Sequence, residues 1–465
     1  MLLILFAAIF YPSYTYPPEH YNLLAKRCEE SRNPGRGNIN NEKVFIAATL
    51  YDKNGVLVGG NWGTAIRELV NLLGPENVHL SVYENNADEM AKKSLERLQK
   101  DLACNVSLVT EELPPGAVPS VVVPSGERRT KRIAFLAEVR NRALRPLRDS
   151  EIRFDKLLYV NDVIFNPVDA VQLLFSTNIG SDGKTQYTAA CAVDFINPFK
   201  FYDRFATRDF DGYELGIPFF PFFTDAGSSI SRNDILAQKD SVRVSACWGG
   251  MTAFEASWFQ ERSMEQSSDE GIHSGSVVAG LQLWPVHFRY ELDPFWDASE
   301  CCLIHADLSY LQRGTNNTAD PRIYTNPYVR VAYDPTTLSW LPYTRRVERL
   351  YPHIHNILNH LVGLPAKNLR MFERPGDEVT EQVWRFDQDD ENSKSHESTQ
   401  ASRSGAYFQI DRIAPPGRFC GRRALVVLKD DPKEEEKNWI KLPIPPLPVK
   451  LIDKAEILAR AGRRI

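Results

Sequence analysis

The sequence lacks the features that mark several large classes of protein. Its formal net charge is −5 over 465 residues, so it has no basic excess that would indicate a nucleic-acid partner. Its seven cysteines form no CxxC pair and no Cys/His spacing typical of a zinc site. The chain shows no internal repeat, and its apolar start is shorter than the roughly 20 residues that a membrane-spanning helix needs. Length and composition fit one large globular domain with appendages, or two domains.

The start of the chain is strongly apolar. Residues Met1–Phe10 are nearly all hydrophobic, and Tyr11–Pro18 is rich in aromatic residues and proline. The run lacks the basic start of a signal peptide. We interpret residues 1–18 as a truncated signal anchor and linker, which would attach the protein to a membrane. The alternative is a frayed hydrophobic terminus.

Apolar runs alternate with amphipathic segments over the first half of the chain. Val44–Leu50 is typical of a buried parallel strand, and Asn61–Leu73 follows as a helix that Gly74-Pro75 ends. The remaining predicted strands are Val78–Tyr83, Val106–Thr110 and Lys156–Val160, and the remaining helices are Ala87–Leu102, Gly126–Arg148 and Asp169–Leu174. This alternation predicts an α/β fold with a mostly parallel central sheet and helices on both faces.

The second half of the chain is less regular. Proline and aromatic residues crowd Pro198–Phe223, which we interpret as long structured loops over the sheet. We predict a main domain over residues 40–385 and a disordered low-complexity segment over 386–405. Residues 406–465 are predicted to form a C-terminal extension with an irregular tail.

An acidic residue follows the predicted strand Lys156–Val160, in the pair Asn161-Asp162. Ligands of open parallel sheets bind beyond the carboxyl ends of the strands. A carboxylate there can hold a hard divalent cation, which in turn neutralises a diphosphate. The alternative is an ordinary turn, since Asn and Asp are both common turn residues.

An arginine interrupts an apolar stripe on the preceding helix. Arg140 is four residues from both Leu136 and Leu144, so it shares their face. An arginine that faces the core needs an anionic partner, because an unpaired buried charge is very costly. That partner is either a phosphate of a bound ligand or a structural carboxylate.

Two further segments carry candidate site residues. Trp248-Gly249-Gly250 offers an aromatic wall and close backbone approach to a ligand, or else a tight turn after a strand. Glu300, His305 and Asp307 are predicted to lie near one short strand, where residues 305 and 307 would share a face. A histidine and an acid on one face can bind a metal or perform acid/base chemistry. The alternative for the histidine is a structural role.

Taken together, these segments resemble a known family. In chain order they read VFIAATLYDKNGVL, NWGTAIREL, RIAFLAEVRNRALRPL, KLLYVNDVIFNPVDAVQLL, YTAACAVDF, FYDRFATRDFDGYELG, CWGGMTAFEA and SECCLIHADL. They are similar to the fungal capsule-associated mannosyltransferases, glycosyltransferase family 69, which include cryptococcal α-1,3-mannosyltransferases. The resemblance runs from about Val44 to Asp307, with weaker similarity as far as Arg418–Leu428.

The resemblance implies a Golgi type II membrane protein with a GT-A-like nucleotide-sugar transferase fold. It implies GDP-mannose as donor, a glycan as acceptor, a divalent metal (Mn²⁺, or Mg²⁺ as the alternative) and retention of anomeric configuration. Asn161-Asp162-Val163 takes the place of the DxD metal motif but carries a single acid. The aromatic loops of 199–223 would stack on acceptor sugars. A lumenal location would also expose the glycosylation sequons at Asn105 and Asn316.

The site residues that follow from this resemblance have three roles. The expected metal ligands are Asp162 and His305, and the expected catalytic carboxylates are Glu300 and Asp307. The expected donor-binding residues are Arg140, Asn161, Asp162, Trp248, Gly249 and Gly250. Two alternatives stay open: a transferase that uses another nucleotide-sugar, such as UDP-xylose or UDP-glucose, and a non-catalytic glycan-binding or scaffold protein of a Golgi complex.

Overall fold

The computed structural model describes residues 2–113, 117–118, 120–123, 126–261, 277–314, 320–386, 405–429 and 437–448. The segment predicted to be disordered therefore lies outside the described residues except at its two ends. The sequon at Asn316 also lies outside them, as do the residues beyond 448.

Helices and strands alternate along the chain, as its sequence predicts. The helices are α1 (Leu2–Phe10), α2 (Glu19–Glu30), α3 (Val56–Gly59), α4 (Asn61–Leu73), α5 (Glu89–Asp101), α6 (Arg132–Arg148), α7 (Pro167–Phe175), α8 (Ile230–Leu236), α9 (Glu300–Arg313), α10 (Pro335–Thr344) and α11 (Pro352–Val362). The strands are β1 (Val44–Leu50), β2 (Val78–Asn85), β3 (Asn105–Glu111), β4 (Ser120–Val122), β5 (Arg128–Thr130), β6 (Lys156–Val160), β7 (Ala189–Asn197), β8 (Lys200–Phe201), β9 (Arg208–Asp209), β10 (Val242–Ala246), β11 (Met251–Glu255), β12 (Val277–Val278), β13 (Leu281–Gln282), β14 (Trp296–Ala298), β15 (Ile323–Ala332), β16 (Glu378–Phe386), β17 (Gly405–Ile413), β18 (Gly421–Arg423), β19 (Val426–Leu428) and β20 (Trp439–Lys441).

A large central sheet organises the fold, with the strand order β3-β2-β1-β6-β11-β7-β15-β10-β9. Strands β3, β2, β1 and β6 run parallel to one another, and β15 is parallel to β7. Strand β11 enters antiparallel between β6 and β7. The predicted class, α/β with a mostly parallel central sheet, is confirmed.

Both faces of the sheet are buried, because its strands alternate between two hydrophobic cores. On β1, Phe45 and Ala47 belong to one core, whereas Val44, Ile46 and Ala48 belong to the other. Helices α6 and α9 contribute to the first core, and α4 and α7 to the second. Helices therefore cover both faces, which explains why the strands read as continuous apolar runs.

The segment around Glu300 is a helix and not the short strand that the sequence analysis predicts. Ser299 caps α9, its side chain accepting a hydrogen bond from the backbone N–H of Cys302. Residues two apart in a helix point about 200° apart around its axis. His305 and Asp307 therefore do not share a face, and the prediction that they do is wrong.

The predicted C-terminal extension contains the strands β17 to β20, whereas residues 442–448 after them form no helix or strand. Strand β18 pairs with β14, and the disulfide Cys302–Cys420 ties the segment to α9. A second disulfide joins Cys191 to Cys247. Because these covalent and strand contacts hold it, the segment packs against the rest of the chain over its described residues.

The apolar start of the chain folds as α1 against the 3-10 helix Arg345–Leu350. The Nε of Arg346 donates a hydrogen bond to the carbonyl oxygen of Ala8 at 2.8 Å. The guanidinium of Arg349 lies 4.1 Å from the ring centre of Tyr11. Among the described residues, no helix is both long enough and apolar enough to cross a bilayer. The membrane anchor stays a prediction.

Candidate functional site

A cavity of about 980 Å³ lies beyond the carboxyl ends of three parallel strands. It is lined by Thr49 at the end of β1, Asn85 at the end of β2 and Asp162 just after β6. Helix α6, the start of α9 and the C-terminal strands also contribute to its lining. Open α/β sheets bind ligands at this position, and the volume suits a small-molecule ligand.

Asn161 is the hydrogen-bonding centre of the cavity floor. Its side-chain oxygen accepts hydrogen bonds from Arg140 Nη1 at 3.1 Å and from Trp248 Nε1 at 3.3 Å. Its carbonyl oxygen accepts from Trp62 Nε1 at 3.0 Å, and its backbone N–H donates to the carbonyl of Gly250 at 2.9 Å. These four bonds fix the turn that follows β6.

Arg140 is buried, as its place on the apolar stripe predicts, with 7% of its surface exposed. Its Nε donates to Glu300 Oε1 at 3.1 Å, and its guanidinium lies 4.6 Å from the ring centre of Trp248. Glu300 lies at the first turn of α9, where the helix dipole favours a carboxylate. The predicted anionic partner is therefore present in the protein as a structural acid, and the pair lines the cavity.

Asp162 presents its carboxylate to the cavity. Its side chain is exposed there, in contrast to the buried Val163 that follows it. Desolvation by the surrounding protein raises the pKa of the Asp162 carboxyl above its usual range. An accessible acid thus lies where the sequence predicts one, and its role as a metal ligand stays a prediction.

A second acidic group, formed by Asp194 and Asp203, was not predicted from the sequence. Asp203 lines the cavity, and its backbone N–H donates to Asp194 Oδ1 at 3.1 Å. The hydroxyl of Tyr333 donates to the other oxygen of Asp194 at 2.9 Å. Burial raises the pKa of Asp203 to about 6. Burial, together with the nearby Asp203 charge, also raises the pKa of Asp194. Asp194 lies in the segment AVDF and Asp203 in the segment FYDRF, but neither segment contains a local pattern that predicts their contact.

Gly249 and Gly250 form a tight turn between β10 and β11, and neither lines the cavity. Both have positive φ, and a Cβ on Gly249 would lie 1.9 Å from the carbonyl oxygen of Ala192. The two glycines therefore let the turn pass close to β7 and hold Trp248 in place. Gly249 and Gly250 therefore have a structural role and do not reach the cavity where the donor was predicted to bind. Of these three residues, only Trp248 lines the cavity.

His305 and Asp307 also lie outside the cavity lining. The Nδ1 of His305 donates to the carbonyl of Cys301 at 2.7 Å, and burial lowers the pKa of the ring to about 4. Asp307 accepts two hydrogen bonds from Arg289, at 2.7 and 2.8 Å. The structure therefore brings Arg140, Asn161, Asp162, Trp248 and Glu300 together but places both of these residues in the core as structural groups.

The cavity suits a divalent cation that would be coordinated partly by the protein and partly by the bound ligand. Within the described part of the chain, the only close group of three His, Cys, Asp or Glu side chains is Cys191, Cys247 and His305, and its cysteines form a disulfide. A cage of three carboxylates is thus absent from that part. The oxygen donors of Asp162 suit a hard cation such as Mn²⁺ or Mg²⁺ that takes its other ligands from phosphate and water.

The C-terminal segment completes the lining with basic and aromatic side chains. The guanidinium of Arg132 lies 5.6 Å from a ring centre of Trp439, and that of Arg422 lies 4.8 Å from the ring centre of Phe205. All four residues line the cavity. The sequence could not indicate this wall, since its members lie about 200 to 300 residues apart and carry no shared motif.

The family comparison covers most of this site. A family model described as cryptococcal mannosyltransferase 1 matches residues 43–307, which is more than half of the chain. The matched range contains β1, β2, α6, β6 and the start of α9. No curated protein sequence matches the chain significantly.

Solved structures are similar to this chain over much of its length but at low identity. Mannosyltransferase PcManGT from Pyrobaculum calidifontis, in complex with GDP-Man and Mn²⁺, is 11% identical; the match covers 78% of this chain and 75% of that chain, with a TM-score of 0.33. Mannosyl-3-phosphoglycerate synthase from Rubrobacter xylanophilus is 13% identical; the match covers 87% of this chain and 94% of that chain, with a TM-score of 0.29. At these values neither structure assigns a residue or a substrate here.

Proposed function

Because the chain belongs to the cryptococcal mannosyltransferase 1 family and is a glycosyltransferase, we propose that it transfers mannose from GDP-mannose to a glycan acceptor. We further propose that transfer retains the anomeric configuration and depends on a divalent metal, Mn²⁺ or Mg²⁺. One observation carries the proposal: the cavity beyond β1, β2 and β6 presents an accessible acid, Asp162, next to a turn that Arg140 and Asn161 fix.

In this proposal the protein's own residues preorganise the donor end of the cavity. Asp162 would hold the cation, which when bound supplies Lewis-acid stabilisation to the departing nucleoside diphosphate. Arg140 and Trp248 hold Asn161, so the adjacent carboxylate keeps its position without reorganisation. Asn85, at the end of β2, would offer its side-chain N–H groups to the nucleoside, since its side-chain oxygen accepts from the backbone N–H of Leu113 at 3.1 Å.

Asp203 is the better candidate for the carboxylate that faces the reacting sugar carbon. Such transfers pass through an oxocarbenium-like state, which a nearby negative charge stabilises. Glu300 is paired with Arg140, whereas Asp203 forms no ion pair with any Lys or Arg that the structure describes. We therefore assign the charge-stabilising role to Asp203 and treat Glu300 as a positioning residue for Arg140.

We propose that the protein works in the Golgi lumen, attached to the membrane through its N-terminal segment. Two disulfides support an oxidising compartment, since such bonds are rare in the cytosol. The side chain of Asn105, in the sequon that begins β3, is exposed and so accessible to a glycan. Expression in a eukaryotic host tests this: cytosolic fractionation without a glycan at Asn105 would contradict it.

The transfer proposal is tested with the purified full chain, GDP-mannose and Mn²⁺. We expect slow release of GDP that a chelator abolishes and fresh Mn²⁺ or Mg²⁺ restores. A panel of donors that includes UDP-glucose and UDP-xylose should show the largest thermal stabilisation with GDP-mannose, because a bound ligand stabilises the folded state. Stabilisation by a UDP-sugar alone would move the assignment to that donor. Absence of binding and turnover with every donor would contradict the transfer proposal and favour the alternative of a non-catalytic scaffold protein.

A further inference from the structure

Two arginines on the cavity wall have no acidic partner. Arg204, in the loop before β9, and Arg422, on β18, both line the cavity and are exposed. Neither forms an ion pair with any residue that the structure describes, and the guanidinium of Arg422 lies 4.8 Å from the ring centre of Phe205. A guanidinium that stacks on a ring uses its face for that contact and keeps its N–H donors. Both arginines can therefore bind an anion in the cavity.

The acids beside these arginines already have partners. Glu214 lines the same wall, but it forms an ion pair with the buried Arg208 at 3.7 Å. Asp297, directly opposite Arg422 on β14, is buried and forms an ion pair with Lys131 at 3.1 Å. The positive charge of the two arginines is therefore not neutralised within the described part of the chain.

The charges of the two arginines also repel each other. Partial burial lowers the pKa of Arg204, the nearby Glu214 raises it, and the charge of Arg422 lowers it again. An anion held between the two guanidinium groups would offset this repulsion. Carboxylate and phosphate groups suit the position, because their oxygens match the fork of N–H donors that arginine presents.

The position of Arg204 associates it with the acceptor and not with the donor. The proposed donor end of the cavity lies beyond β1, β2 and β6, whereas β9 ends the strand order at the edge opposite β3. Arg204 lies in the aromatic loops of 199–223, for which the sequence predicts contact with acceptor sugars. It also directly follows Asp203, the carboxylate that we assign to the reacting sugar carbon. An acceptor that reaches this carbon would therefore lie close to Arg204.

We propose that the acceptor glycan carries an acidic group, a carboxylate or a phosphate, which Arg204 and Arg422 bind. This inference rests on the proposed transfer reaction and names the class of its acceptor. A competing anion is the acidic run of residues 430–436, which contains five acids and one lysine and lies outside the described residues. The acceptor is favoured because both arginines line the cavity in which transfer would occur.

Acceptor kinetics with the purified full chain, GDP-mannose and Mn²⁺ test the inference. The probes are an α-mannobioside, the same disaccharide with a 6-phosphate, and a disaccharide of glucuronic acid and mannose, so that the two acidic probes separate phosphate from carboxylate. We expect a KM roughly tenfold or more lower for one acidic probe than for the neutral probe, and loss of this difference at high salt.

Arg422→Gln should raise the KM of that acidic probe about tenfold, the scale of one charged hydrogen bond, and change the KM of the neutral probe by less than about twofold. The matched control is Arg97→Gln on α5, because Arg97 is an exposed arginine outside the cavity lining. The control should change neither KM.

Calorimetric titration with the same three probes separates this inference from the transfer reaction, because it detects binding without turnover. Absence of GDP release with every donor would contradict the proposed function. Binding of an acidic probe that Arg422→Gln weakens would still support the anion site in that case.

Three outcomes would overturn the inference. The first is equal KM and equal affinity for the neutral and acidic probes. The second is a tenfold or larger loss of GDP affinity in Arg422→Gln, which would make this arginine a ligand of the donor. The third is a preference for acidic probes that appears only after asparagine and glutamine replace the five acids of 430–436, since that run would then be the anion that the arginines bind. If Arg422→Gln fails to fold, Arg204→Gln decides the question by the same comparison.

Discussion

Replacing Arg140 with lysine separates a structural role of this residue from a role in donor binding. The guanidinium holds Glu300 and Asn161 at the same time and stacks on Trp248. A lysine keeps the charge but has a single ammonium group on a flexible stem, so it cannot reproduce the two-pronged geometry. Arg140→Lys therefore removes about one charged hydrogen bond and most of the stacking.

The expected loss of unfolding free energy is about 1–3 kcal/mol, from one charged hydrogen bond at about 1.5–3 kcal/mol partly offset by a new ammonium contact. A cation–π contact adds about 0.5–2 kcal/mol if the ammonium leaves the Trp248 ring. At roughly 2 cal/mol/K of unfolding entropy per residue, a chain of 465 residues should lose about 1–3 °C in melting temperature. Because Arg140 is already paired with Glu300 and needs no phosphate as a partner, the Kd for GDP should change by less than about threefold.

Differential scanning fluorimetry and calorimetric titration with GDP and Mn²⁺ measure the two quantities. The matched control is Arg145→Lys, on the same helix with 56% of its side chain exposed, which should change neither. A tenfold or larger loss of GDP affinity with an unchanged melting temperature would refute this reasoning and make Arg140 a direct ligand of the diphosphate.

Three other predictions concern the cavity and its covalent support. Asp162→Asn should lower GDP release by about 10²–10³-fold with an unchanged melting temperature, and activity within a few-fold of the natural chain would remove this residue from the metal site. Burial raises the pKa of Asp203, and the adjacent buried Asp194 also has a raised pKa, so this acidic pair takes up protons above the usual pH range of an aspartate. The pH profile of kcat/KM should therefore fall on the acid side at a pH above the usual aspartate pKa of about 4, and Asp203→Asn should shift that fall to lower pH; a flat profile of the natural chain between about pH 5 and 8 would contradict the assignment. Replacing Cys302 and Cys420 by serine should lower the unfolding free energy by about 2–5 kcal/mol in a denaturant titration, because the bond closes a long loop. Cys104→Ser, at a free cysteine, is the control, and equal losses in both would show that the disulfide is not the cause.

The sheet and its helices could be predicted from local sequence, and α9 could not. Strand β1 and helix α4 have the predicted bounds because an apolar run and a Gly-Pro stop are both local signals. In α9 every residue of the first ten, Glu300–Ser309, is buried. A helix buried on all sides carries no amphipathic period, so its sequence is indistinguishable from that of a buried strand.

The site was predictable where one element determines it. Asp162 and Arg140 follow from the end of a strand and from the phase of a helix, and both line the cavity. The contact between Asp194 and Asp203 depends instead on how a loop returns to β7. The wall that includes Trp439 depends on a segment far along the chain, and no local pattern records such contacts.

The bond between Cys302 and Cys420 also sets an order of events during synthesis. The two residues are 118 positions apart, so at about 5–20 residues per second the ribosome needs roughly 6–24 s to deliver the second after the first. Any disulfide that Cys302 forms in that interval is non-native. The adjacent Cys301 also has a free thiol, so it is a second site for a non-native disulfide. The wall of the cavity that the C-terminal segment forms is therefore completed last, and the yield of active protein should depend on how long oxidation is delayed.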